Sequence, residues 1–78
     1  MKYLQVELGQ KIKLLRKENG YSQEAFASLA DIDRTYIADI ESGKRNVSLE
    51  ILGKLAVALD LTLSELFQDI NGRSSDEC

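Results

Sequence analysis

Three residues, Asp31-Ile32-Asp33, separate two short segments that each carry a helical pattern, and no other feature of the chain constrains its fold as tightly. On the near side, Ser22 is a good N-cap for a helix over Gln23–Ala30 whose apolar side is Phe26, Leu29 and Ala30. On the far side, Asp33 caps a helix over 34–42, and Gly43 closes it. Three intervening residues allow only a tight turn. The two helices must therefore cross steeply and close together.

Such a unit is a helix-turn-helix, and the local residues meet its demands. Ala27 is small where the helices approach. Asp31 stands where the turn needs a left-handed backbone, a conformation that Asp adopts more readily than most residues. Ile32, Ile37 and Ile40 supply apolar anchors after the turn. At about 100° per residue, Arg34, Thr35, Ala38, Asp39 and Ser42 share one outward face of the second helix, with Tyr36 on its border. Those side chains suit base edges. Arg34 can donate twice to a guanine, worth roughly 1–3 kcal/mol of discrimination. Thr35 can pack on or bond to a base, and Asp39 can accept from cytosine N4 or hold Arg34 in place. The plainer alternative is a solvated helix face. Turn spacing, Ala27 and the isoleucine anchors together favour recognition.

Around this motif the pattern predicts an all-helical domain of five helices. A first helix covers 5–18, with Leu8, Ile12 and Leu15 at helical spacing and Asn19-Gly20 as its stop. Ser48 caps a fourth helix over 49–59, with Leu52, Leu55, Ala56 and Leu59 inward. Thr62-Leu63-Ser64-Glu65 reads as a capping box opening a fifth, over 63–69, which Asn71-Gly72 ends. With 78 residues there is room for one domain over 1–70 and a polar, frayed tail over 71–78. The absence of proline and 44% hydrophobic residues suit a packed helical globule.

Charge is less direct. The net charge is −3, but Asp60, Glu65, Asp69, Asp76 and Glu77 face only Arg73 beyond residue 59, leaving the first 59 residues at +1. Lys11, Lys13, Arg16 and Lys17 form one basic cluster, and Lys44-Arg45 another. Ser22 and Gln23, at a helix N-terminus, can grip a phosphate; Lys44, Arg45, Asn46 and Ser48 can bracket the next ones. Capping alone would also explain Ser22 and Ser48. No His is present and the one Cys is Cys78, so neither a metal site, a cofactor site nor a catalytic centre is expected. No apolar run spans a membrane and no secretory leader opens the chain, which predicts a cytoplasmic protein.

Residues 21–67, YSQEAFASLADIDRTYIADIESGKRNVSLEILGKLAVALDLTLSELF, resemble the Cro/C1-type (xenobiotic-response-element-type) helix-turn-helix regulators of bacteria and phages. SQE, IESGKRNVSLE and LAVALDLTLSELF carry the likeness, while Asp31 and Asp33 depart from the usual Gly and Ser or Thr. The resemblance implies a compact five-helix lambda-repressor-like domain with its third helix in the major groove. It implies base reading by Arg34, Thr35 and Asp39, phosphate contacts from Gln23 and loop 44–48, and a structural pair between Arg16 and Glu41. DRTYI and RNVSL look more narrowly like the controller proteins of restriction-modification systems. That likeness adds Arg45 and Asn46 to the base contacts, with Tyr36 alongside, and implies activation and repression of the controller's own gene and the endonuclease gene.

A single domain of this size grips too little DNA, so a homodimer on palindromic half-sites is expected, with RNA polymerase as a further candidate partner. Leu61, Leu63, Leu66, Phe67 and Ile70 exceed what one short helix can turn inward. Part of this set, with the end of the fourth helix, is expected to form the dimer interface; the alternative is that all five close the monomer's core. A phage- or mobile-element-type repressor of the same fold and a protein-interaction module such as an antitoxin remain open alternatives.

Overall fold

The computed structural model describes residues 2–70, and they form five helices: α1 Lys2–Glu18, α2 Gln23–Ala30, α3 Arg34–Glu41, α4 Leu49–Ala58 and α5 Leu63–Leu66. Helix α1 begins three residues earlier than its apolar pattern suggests, since nothing between positions 2 and 5 breaks a helix. Helix α5 stops at Leu66 rather than 69, because Asp69 takes a left-handed backbone at φ 70°. The tail over 71–78, with its Asn71-Gly72 stop, lies outside the described residues.

Side-chain caps start each of the last four helices. Ser22, Asp33 and Ser48 accept from the backbone N–H groups of Ala25, Thr35 and Ile51. At α5 the capping box is complete, with Thr62 Oγ1 accepting from Glu65 N–H and Glu65 Oε1 from Thr62 N–H.

The first four helices end alike. Gly20, Asp31, Gly43 and Asp60 are all left-handed, at φ 77°, 59°, 76° and 59°. Each N–H bonds back three residues, while the next residue's N–H reaches back five, as Tyr21 does to Arg16 O and Ile32 to Ala27 O. This geometry sends the residue after the turn back towards the protein. Tyr21, Ile32 and Leu61 consequently pack against the core.

That core joins Leu8 and Ile12 of α1, Phe26 and Ala27 of α2, Ile37 and Ile40 of α3, Leu55 and Ala56 of α4, and Leu66 of α5. Phe26, Ile12, Ile37, Ile40, Leu55 and Leu66 are fully buried. Each contributes about 1.5–3 kcal/mol of transfer free energy. Tyr21 stacks on Phe26, with ring centroids 6.1 Å apart, and covers it from solvent. Leu29, expected on the inner side of α2, is 53% exposed, while Ala27, expected at the close crossing, is buried. Tight crossing at the turn brings α3 against the Ala27 side, leaving Leu29 outside.

Helix α1 lies almost backbone to backbone on the end of α3. A Cβ at Gly9 would fall 2.3 Å from the Ile40 carbonyl oxygen and 2.9 Å from that of Glu41. Only glycine permits that approach. It fixes the far end of α3 while the three-residue turn fixes its start.

Candidate DNA-binding surface

The outer face of α3 begins at Arg34 and Thr35, both exposed, immediately after the Asp33 cap. Among the described residues, the Arg34 side chain makes no hydrogen bond or ion pair, so its five donors face solvent. Ile37 and Ile40, 0% and 1% exposed, hold the opposite face of the same helix in the core. The amphipathic wheel is thus realised. Asp39 and Tyr36 flank the exposed strip and are partly buried.

Loop 43–48 follows directly. Gly43 turns the chain back over α3, and Lys44 N–H bonds to Asp39 O. As a result Arg45 lies across the recognition helix, its guanidinium 4.4 Å from the centre of the Tyr36 ring. Its Nε donates to Asp39 Oδ2 at 3.3 Å. Asn46 is held from a different direction, by the side-chain amide of Gln5 near the start of α1. The sequence offers no sign of that contact, because Gln5 and Asn46 stand 41 positions apart. Lys44 and Ser48 are exposed, and Ser48 caps α4.

On the other flank, Ser22 and Gln23 open α2. Ser22 is an N-cap. The Gln23 amide donates to Glu41 Oε1 at 3.1 Å, which orients it beside α3. Glu41 in turn takes Arg16: Nε to Oε2 at 2.6 Å and Nη2 to Oε1 at 3.1 Å, with both side chains at least nine-tenths buried. Arg16 Nη1 also donates to Tyr21 O at 2.7 Å. The expected structural pair is present as a bidentate bridge between α1 and α3. It carries a branch to Gln23 that the sequence did not announce.

Exposed donors at the start of α3, a helix N-terminus on one side and a cationic loop on the other can together follow a groove and its phosphates. A helix-turn-helix family model, HTH_3, matches residues 12–66. The chain belongs to this Cro/C1-type helix-turn-helix family. Its function is of the family's class, DNA-binding transcription regulation.

Among relatives, control protein C.MunI of a Mycoplasma species is 54% identical over 71 residues, covering 90% of this chain and 96% of that protein. The crystal structure of the restriction-modification controller protein C.AhdI from Aeromonas hydrophila superposes with a TM-score of 0.78 at 48% identity, covering 81% of this chain and 96% of that one. The biofilm master regulator SinR, solved in complex with DNA, gives 0.73 at 36% identity, covering 77% and 97%. The all-helical fold expected from the sequence is the fold of these controller proteins.

Burial divides the apolar set of which part was expected at a dimer interface. Leu66 is 0% exposed and belongs to the core, so it is removed from that surface. Leu61, Phe67 and Ile70 are half-buried against the core, Leu61 because the Asp60 turn sends it inward. Phe67 also lines a cavity of about 200 Å³ beneath the loop, with Leu4, Leu8, Val47 and Leu52. Leu63 remains 39% exposed, and Val57, which the sequence reading did not single out, is 80% exposed. A wheel count could have found Val57: it lies two residues from Leu55 and Leu59, on the opposite side of α4.

Proposed function

We propose that this chain is a restriction-modification controller: a homodimer that binds an operator of two half-sites and both activates and represses transcription of its own gene and the endonuclease gene. The relationship to C.MunI, running through nearly the whole of both chains, carries this reading. The exposed Arg34-Thr35 start of α3 supplies its chemistry. Arg34, Thr35 and Tyr36, with Arg45 from the loop, read base edges, while Ser22, Gln23, Lys44, Asn46 and Ser48 position the domain on phosphates. Dimerisation uses the exposed apolar surface at Val57, Leu63 and the outer part of Leu61, with Phe67 and Ile70 at its margin. Activation then implies contact with RNA polymerase, in the cytoplasm where the operator lies.

Selection of bound sequences from a random DNA pool tests this directly. A two-half-site motif is expected, recurring upstream of neighbouring methyltransferase and endonuclease genes; the same motif among phage genes would instead favour a phage-type repressor. Arg34→Ala should cost about 1–3 kcal/mol of operator binding and relax one base position per half-site while the fold is retained. Unchanged operator affinity would remove Arg34 from the reading surface.

A further inference from the structure

The sequence left Asp39 open between accepting from cytosine N4 and holding Arg34 in place; in the structure its carboxylate meets Arg45. Its side chain is only 33% exposed, and Oδ2 accepts from Arg45 Nε. Tyr36, three residues earlier on the same helix face, places its ring 4.4 Å beneath the Arg45 guanidinium. Two constraints from α3 therefore act on one loop side chain, one on its edge and one on its face. The left-handed turn at Gly43 makes this possible by folding the loop back over the helix.

We propose that Asp39 is a positioning residue that, with the Tyr36 ring, presents Arg45 to DNA in its binding pose. This assignment rests on the DNA-binding reading above. Nε is engaged, but neither terminal amino group of Arg45 has a hydrogen-bond partner among the described residues. Those two groups form the edge that makes an end-on bidentate pair with guanine O6 and N7. An exposed ion pair contributes little to folding. Its effect here is to remove the freedom of a long side chain before binding, so that less is lost when DNA arrives. Pairing also neutralises the Asp39 carboxylate, which would otherwise repel the phosphates beside it.

A double-mutant cycle on the selected operator tests the assignment, using wild type, Asp39→Ala, Arg45→Ala and the double variant. Base preferences are measured for each by selection from the randomised operator. The Arg45→Ala background isolates what the loss of a negative charge does by itself. The excess effect of Asp39→Ala when Arg45 is present is expected to be a weakening of about three- to tenfold, the cost of re-ordering one long side chain. Asp39→Ala should relax the same base position as Arg45→Ala, and no other. Additive effects, or a relaxed position that Arg45→Ala leaves intact, would show Asp39 reading a base itself and overturn the proposal. Tighter binding by Asp39→Ala only when Arg45 is present would mean a lock that DNA must break, and also overturns it. Wild-type protein that selects no sequence overturns the proposed function first, and this assignment with it. Both side chains are partly exposed, and thermal melting checks that each variant is folded.

Discussion

Two acid–base pairs at the residue scale share a chemistry and differ in what surrounds them. Arg16 and Glu41 are at least nine-tenths buried and bonded through Nε and Nη2 of the guanidinium, whereas Arg45 and Asp39 are 44% and 33% exposed. Removing one member of the buried pair strands the other charge away from water. Glu41→Ala should destabilise the domain by about 3–5 kcal/mol in urea unfolding. Replacing both partners by apolar residues, as in Arg16→Met with Glu41→Leu, should recover much of that loss, and failure to recover would assign the network a structural role beyond charge balance. The pair was foreseen only through the family likeness, since no spacing rule links positions 16 and 41. Gln23 and Gln5 were beyond either route: each finds its partner, Glu41 or Asn46, through tertiary proximity.

At the scale of elements, caps and stops were legible because they act over three to five residues. Ser22, Asp33, Ser48 and Thr62 all cap where their types and positions suggest. Asp31 adopts the left-handed turn that its position requires. How helices meet was less legible. Ala27 marks one close crossing, but Gly9 marks a closer one, and a glycine inside a helical pattern announces only a cost of about 1 kcal/mol in propensity. Its compensation is the contact with the end of α3. Gly9→Ala should therefore destabilise by about 1–3 kcal/mol despite the better helix former, because the added carbon meets backbone that cannot rotate away. Chemical denaturation measures it; a neutral or stabilising result would mean that α1 can lift off α3 without loss.

For the whole molecule, the same five apolar residues had to serve the core, a partner, or both. Leu66 went wholly to the core and Leu63 is the one member of the five left exposed, at 39%, while Val57 of α4 is 80% exposed. Val57→Glu should then produce folded monomers with weaker operator binding, since a side chain 80% exposed adds little to the monomer. Sedimentation at several concentrations follows the shift, and an unchanged dimer would move the interface elsewhere. Leu66→Glu provides the contrast, because it places a charge in the core and should unfold the domain.

Local sequence by itself determined the five helices, their caps, the tight turn at 31–33 and the outward face of α3, because periodicity, capping and backbone preference act over a few residues. The family likeness added the Arg16–Glu41 pair. Tertiary structure decided what depends on approach between distant segments: the Gly9 crossing, the Glu41 branch to Gln23, the Gln5 support of Asn46, and the burial of Leu66. It also gave Asp39, which the helical wheel placed on the outward face, a contact with Arg45 of the folded-back loop. A side chain's chemistry is local, but the partner that claims it is chosen by the fold.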